Sequence, residues 1–209
     1  MRPKDFIPIT PAIAEPSTGE TMGQSAEKMA KLNAIGREEQ DQFALRSHRL
    51  AAAGTSDGRL TSEIAPVWVA PKYEVAVAKD NSIRDDSSYE SLAALRPVFD
   101  KRYGSVTAGN ASPLTDGGAA VLLMSEGKAK SLGYQPIGYI KSYAYAALDP
   151  GEQLLQAPVL AAPKALERAG LALKDIDLVE MNEAFAAQVL SNLQGLASKA
   201  WAERAGYAQ

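Results

Sequence analysis

The residue types that most often carry enzyme chemistry are scarce in this chain of 209 residues, which contains one histidine, His48, and no cysteine. A chain without cysteine has no thiol nucleophile, no thiolate metal site and no disulfide framework. His48 lies beside Arg46 and Arg49, off the apolar face of its predicted helix, which indicates a solvated imidazole. The sequence therefore predicts neither covalent catalysis by a thiolate nor a metal centre.

Two polar positions stand where a sheet could present them to a ligand. Asn182 follows a predicted buried strand, Ile176 to Met181, at the junction with a helix, where ligands bind in parallel α/β sheets. Its amide could serve such a ligand or could cap the helix. Thr107 to Ser112 is a predicted strand that runs into a tight loop of small residues. A ligand could approach that backbone and the Ser112 hydroxyl, or the segment could be a core turn.

The composition is that of a soluble globular protein of one or two domains, with 46% hydrophobic and 22% charged residues. A net charge of -3 and a pI near 5.3 disfavour nonspecific binding to nucleic acid. No stretch approaches the roughly 20 apolar residues that cross a bilayer, and the start lacks a signal-peptide core. We expect a cytoplasmic protein without a membrane span.

Hydrophobic periodicity predicts a helical first half and an α/β second half, with a change of composition near Ser105. The first half is predicted to contain helices Ser25 to Asn33 and Arg37 to Ala53, a hairpin or two edge strands from Val67 to Ala78, and a helix that a capping box at Ser87 and Glu90 starts. The second half is predicted to contain strands Ala119 to Met124, Ile137 to Tyr145 and Ile176 to Met181, and helices from Ser125, Pro163 and Ala184, with stops at Gly133 and Gly170 after the first two.

Five segments, in one order along nearly the whole chain, resemble the thiolases, the acyltransferases that depend on coenzyme A. The resemblance is closest to the subgroup that degrades long-chain 3-ketoacyl-CoA, although many of its members have a histidine in place of Asn182. The segments are Met22 to Glu27, Asp80 to Arg84 with Leu95 to Pro97, Thr107 to Ser112, Asp116 to Ala120, and Asn182 to Ala186.

The resemblance implies a thiolase-like α/β fold, in which a helical loop domain precedes parts of the layered αβαβα cores. Residues 1–106 would form the loop domain that covers coenzyme A, 107–134 the end of the amino-terminal core, and 135–209 the first half of the carboxy-terminal core. Thiolases are about twice this length, so the expected protein is an incomplete, central piece. The segments that carry the family's acyl-accepting cysteine and its Gly-His-Pro histidine are absent from the sequence.

The resemblance also assigns site residues. Asn182 would support the oxyanion hole through a bound water, and Asn110 would shape its loop. Ordinary core packing is the alternative for Met22 and Phe185, and Arg84 would approach the adenine nucleotide. The implied contacts with coenzyme A are Met22, Arg84, Ala108, Ser112, Ala184 and Phe185.

The function implied is that of a thiolase segment, which converts 3-ketoacyl-CoA and CoA into acyl-CoA and acetyl-CoA in fatty-acid β-oxidation. No permanently bound cofactor is expected, and coenzyme A or acyl-CoA is the substrate. Expected partners are the missing thiolase halves or another thiolase subunit, in a homo-oligomer. Because the reactive thiol is missing, the chain alone is predicted to be inactive. Two alternatives remain open: a noncatalytic module that binds acyl-CoA or a thiolase subunit, and a gene fragment that folds poorly because its apolar strands lack partners.

Overall fold

The computed structural model describes residues 13–204, and the outer ends of the first and third predicted domains lie outside this range. The described chain forms seven α-helices and one two-stranded β-sheet. The helices are α1 (Met22–Leu32), α2 (Arg37–Ser56), α3 (Tyr89–Ala93), α4 (Glu126–Ser131), α5 (Pro158–Ala169), α6 (Ala186–Leu196) and α7 (Lys199–Arg204). Short 3₁₀ turns occur at Thr61–Glu63, Leu154–Gln156 and Leu173–Asp175.

The helix starts follow from side-chain caps. Thr21 and Gln24 form a reciprocal capping box at α1, which begins three residues earlier than predicted. At α3 the box is made by Ser88 and Ser91, so the prediction of Ser87 and Glu90 is wrong by one residue. The capping residue must have extended backbone, and Ser88 has it with φ -127° and ψ 162°.

In the second half, a serine caps the start of α4 and a glycine ends α5. The Ser125 side chain accepts from the backbone of Lys128, which confirms the predicted cap of α4. Gly170, with φ 67°, ends α5 in the left-handed conformation that glycine tolerates best, as predicted. The predicted start of α5 at Pro163 is wrong, because the helix already begins at Pro158 and continues through Pro163.

The predicted hairpin is confirmed. Strands β1 (Val67–Trp68) and β2 (Ala76–Val77) pair antiparallel, with Val67 opposite Val77. Both strands are exposed, so this hairpin stands away from the core.

The core lies where α1 packs against α6. Ala26, Ala30, Val106 and Ala187 are buried there at 2% exposure or less. The small side chains allow the helices to approach closely, and partly buried aromatic rings close the edge. A second, smaller cluster of Ala44, Leu45 and Leu92 joins α2 to α3. These two clusters fix the helices that carry the site.

The three strands predicted in the second half form no β-ladder within residues 13–204, so those predictions are wrong for this structure. Large apolar side chains along them, such as Leu122, Ile137 and Leu178, are exposed. From Lys141 to Pro150 the burial still alternates residue by residue, which is the period of a strand. A strand needs neighbouring backbone to pair with, and the described part of the chain offers these segments none.

In the described chain, every helix is too short or too polar to span a bilayer.

Candidate functional site

A cavity of about 240 Å³ opens where α2 meets three connecting segments. The segments are residues 82–83, 109–113 and 182–186, which come from distant parts of the sequence. One face of α2 forms the remaining wall, with Phe43, Ala44, Ser47, His48 and Ala51. The cavity therefore depends on contacts that bring these four parts of the chain together.

Asn110 shapes the 109–113 wall. It is 3% exposed, and its side-chain oxygen accepts a hydrogen bond of 2.8 Å from the Thr107 backbone. Its amide nitrogen donates to the Asp41 carboxylate over 2.9 Å and to the Ser105 carbonyl over 3.1 Å. Asp41 on α2 is fully buried and accepts from the Arg37 guanidinium at 2.6 Å. The implied structural role of Asn110 in this loop is thus confirmed.

A second buried carboxylate holds the same segment from α1. Glu27 is 3% exposed, and one carboxylate oxygen accepts from the Ser105 backbone at 2.7 Å and from its hydroxyl at 2.9 Å. The other oxygen accepts from the Val106 backbone at 2.9 Å. A carboxylate that accepts three hydrogen bonds in the interior satisfies groups that would otherwise be costly to bury.

The turn before this segment is also tied to α1. Lys31 forms an ion pair of 2.6 Å with Asp100, whose carboxylate also accepts from the backbones of Arg102 and Tyr103. These bonds, the Lys31 contact foremost, lower the pKa of Asp100 to about 2.

Backbone pairing joins the 109–113 wall to the 182–186 wall. The Ser112 backbone donates to the Ala184 carbonyl over 2.8 Å, and the Ala186 backbone donates to the Asn110 carbonyl over 2.9 Å. Ala111 and Phe185 are bridged antiparallel between these bonds. Two residues that the sequence analysis assigned to a ligand, Ser112 and Asn182, consequently line the same cavity.

Asn182 is exposed to this cavity. Helix α6 begins four residues later at Ala186, and its N-cap residue Phe185 makes no side-chain cap. The alternative interpretation of Asn182 as a helix cap is therefore wrong. Its amide is available to hold a water or a ligand oxygen.

The α2 wall contributes polar groups that the sequence analysis did not assign. The Ser47 hydroxyl donates a short hydrogen bond to the Glu183 carboxylate, which fastens α2 to the 182–186 wall. His48 is half-buried in the cavity wall, and its Nδ1 accepts from the Arg84 backbone over 3.3 Å. The prediction that His48 lies off the apolar face of its helix is wrong, because it shares the cavity wall with Ala44 and Ala51. The recurrence of Ala44, Ser47, His48 and Ala51 at helical spacing was the available signal.

The other predicted residues are placed at different distances from the cavity. Arg84 is exposed and follows Ile83 of the wall, and Ala108 is exposed beside Gly109 of the wall. Phe185 makes an edge contact with Phe99, at 6.1 Å between ring centroids, and packs on the core. Met22 is half-buried in the first turn of α1 and does not line the cavity.

Comparison with known families matches the two halves of the chain separately. Residues 4–127 match "Thiolase, N-terminal domain", and residues 134–203 match "Thiolase, C-terminal domain". Proteins named 3-ketoacyl-CoA thiolase from Alteromonas mediterranea and Shewanella amazonensis are each 56% identical over 200 residues. That alignment covers 96% of this chain and 46% of each relative, so the chain spans about half the length of these relatives.

Solved structures show the same likeness. The acetyl-CoA acetyltransferase of Bacillus anthracis superposes with a TM-score of 0.83 at 42% identity, over 90% of this chain and 47% of that one. Human mitochondrial 3-ketoacyl-CoA thiolase in complex with CoA superposes with a TM-score of 0.82 at 37% identity, over 90% and 46% of the two chains. The fold is therefore thiolase-like α/β, present in part. With both domain matches and these superpositions, the chain belongs to the thiolase family.

Proposed function

We propose that this chain is a segment of a 3-ketoacyl-CoA thiolase and that its cavity receives coenzyme A or an acyl-CoA. One observation carries the proposal: residues from three of the segments through which the sequence resembles thiolases line a single cavity. The segments are Asp80 to Arg84, Thr107 to Ser112 and Asn182 to Ala186. Relatives named 3-ketoacyl-CoA thiolase align with 96% of the chain, and a structural neighbour was solved with CoA.

The proposed reaction belongs to fatty-acid β-oxidation. Coenzyme A cleaves the bond between C2 and C3 of a 3-ketoacyl-CoA, and the acyl group that carries C3 ends on its sulfur. The departing C2 carbanion takes a proton and becomes the methyl group of acetyl-CoA. The reaction needs an acyl-accepting nucleophile, a base, an acid and donors for the oxyanions.

This chain supplies some of those groups. In the proposal Asn182 holds the water of an oxyanion hole, while Ala108 and Ser112 contact the pantetheine arm. Arg84, at the cavity rim, approaches the phosphates or adenine, for which a guanidinium is suited. The resemblance also assigns Met22, Ala184 and Phe185 to the ligand, but none of them lines this cavity, and Phe185 packs on the core.

The nucleophile and base must come from elsewhere. The sequence has no cysteine, and its one histidine follows Ser47 and precedes Arg49 rather than lying in Gly-His-Pro. We therefore expect residues 1–106 to act as the cover for coenzyme A, and 107–134 and 135–209 as parts of the two cores. Polypeptide that carries the missing groups would pair with the exposed runs at Ala119 to Met124 and Ile137 to Tyr145, and the completed protein would form a homo-oligomer.

The test is a thiolysis assay with 3-ketoacyl-CoA and CoA, run on the chain alone and after addition of the complementary thiolase segments. We expect no turnover from the chain alone and turnover after complementation. Turnover by the isolated chain would refute the proposal that the nucleophile comes from other polypeptide, since this chain has no thiol to accept the acyl group.

A noncatalytic role is the second candidate, favoured by the cavity's presence on a chain without a thiol. In that case the chain binds acyl-CoA or a thiolase subunit, and complementation restores no turnover although CoA still binds. Calorimetric titration of CoA and a pull-down with a complete thiolase subunit separate this outcome from the first.

Substitution of Arg84 tests whether the cavity binds coenzyme A. Arg84→Ala should weaken CoA binding about 10-fold, as expected for a lost charged hydrogen bond of about 1.4 kcal/mol. Arg59→Ala is the matched control, because Arg59 is exposed and paired only with nearby Asp57 among the described ion pairs. Equal dissociation constants for both variants would remove Arg84 from the site.

A further inference from the structure

The one histidine of the chain sits in a geometry that fixes its tautomer. His48 Nδ1 accepts a hydrogen bond of 3.3 Å from the Arg84 backbone N–H. A ring nitrogen that accepts has a free lone pair, so in the neutral imidazole the proton resides on Nε2. The bond thus converts His48 into a donor at Nε2.

Between residues 13 and 204, no described hydrogen bond involves Nε2, so this donor has no protein acceptor there. His48 also lines the cavity. The Glu183 carboxylate, the acidic group in the same wall, already accepts from the Ser47 hydroxyl. A donor beside a cavity, without a protein acceptor, suits an oxygen of a ligand.

We propose that His48 is a ligand-binding residue, which donates its Nε2–H to an oxygen of coenzyme A while its Nδ1 holds the Arg84 segment. The proposal rests on the proposed function, because it names a further contact for the same ligand. The oxygen can belong to a phosphate at the nucleotide end or to a carbonyl of the pantetheine arm. In either case one side chain both contacts the ligand and fixes the backbone from which Arg84 projects.

Two substitutions of His48 distinguish the roles of its two ring nitrogens. In His48→Asn the side-chain oxygen replaces Nδ1 as the acceptor for Arg84, but nothing replaces the Nε2–H. In His48→Gln the amide nitrogen reaches the Nε2 position and restores a donor. We expect His48→Asn to weaken CoA binding about 10-fold and His48→Gln to stay within about 3-fold of the unchanged chain.

Because the chain has a single histidine, its imidazole signals in an NMR spectrum are unambiguous. At about pH 8 we expect the proton on Nε2 before CoA is added, and a shift of the Nε2 signal upon binding. Titration with adenosine 3′,5′-bisphosphate and with pantetheine, each alone, identifies the source of the oxygen, because only the part that carries it should shift Nε2.

Several results would overturn the proposal. A proton on Nδ1 would contradict the geometry whether or not CoA binds. CoA binding that leaves Nε2 unshifted, or that is equally strong in His48→Asn, would exclude the contact and leave the proposed function intact. Equal weakening in both variants, with equal loss of thermal stability, would assign His48 a purely structural role. Failure of the unchanged chain to bind CoA would instead refute the proposed function, and the His48 contact with it.

Discussion

Glu27 offers a sharp test of how the cavity is held together. Its carboxylate accepts hydrogen bonds from the Ser105 backbone, the Ser105 hydroxyl and the Val106 backbone, all within 2.9 Å. Glu27→Gln keeps the size of the side chain but replaces one oxygen with an NH₂ group. At least one backbone N–H would then face another donor in the interior, where only 3% of residue 27 is exposed.

The expected loss of stability follows from the energies of hydrogen bonds to a charged group. A hydrogen bond to a charged group contributes about 1.5–3 kcal/mol, and a buried donor left without an acceptor costs about 1–3 kcal/mol. The two figures overlap, since both describe the same N–H, so we expect Glu27→Gln to lower the free energy of unfolding by roughly 1.5–3 kcal/mol. For a chain of this size that corresponds to a fall in Tm of roughly 3–12 °C.

The assay is urea and thermal unfolding followed by circular dichroism, with Glu74→Gln as the control. Glu74 is exposed near the hairpin, so this variant removes the same charge without touching the core. Its Tm should stay close to that of the unchanged chain. If the two variants unfold at the same temperature, the buried carboxylate does not anchor the 105–106 segment and the reasoning fails.

Two further predictions concern the same loop and the turn before it. Gly109→Ala should destabilise the chain by about 1–3 kcal/mol, because a Cβ would lie 2.6 Å from two leucine methyl carbons. The control in thermal unfolding is Gly117→Ala, since no atom would lie within 4 Å of a Cβ at residue 117. Equal Tm values for the two variants would show that the Cβ at residue 109 is not crowded. The pKa of Asp100 is lowered from 3.8 to about 2. Its contact with Lys31 therefore stabilises the fold fully above pH 3.8, and this stabilisation is lost as the pH falls through about 2. Lys31→Met should raise that pKa in an NMR titration of the carboxyl group, and an unmoved titration would refute the assignment.

Sequence patterns predicted the helices well because their signals are local. Ser125 and Gly170 each act within one turn, and the structure places a cap and a stop there as expected. The predicted start of α5 at Pro163 is wrong because another proline, Pro158, occupies the first turn, where proline is favoured. The strand predictions failed for a different reason. Alternation and apolar runs mark segments suited to a sheet, but ladder formation depends on partners that lie far away in sequence or outside the described chain.

The site was predicted only where a family motif marked it. Ser112 and Asn182 line the cavity, but no local pattern indicates that backbone bonds between 110–112 and 184–186 bring them together. The prediction for His48 was wrong about the helix face, because its position one turn after Ala44 places it in the cavity wall. Long-range contacts such as that of His48 with Arg84 cannot be inferred from composition or periodicity.

Within residues 13–204, the framework of the cavity is independent of the segments that form no β-ladder. Its loop is held from α1 by Glu27 and from α2 by Asp41, and both helices are packed by buried apolar contacts of their own. None of these anchors involves the exposed runs at Ala119 to Met124 or Ile137 to Tyr145. A cavity built in this way can be preformed before a sheet is completed, since the buried carboxylates that anchor its loop are satisfied within helices and loops. Under the proposed function, polypeptide that pairs with these runs and carries the reactive groups would add catalysis to a cavity that already exists.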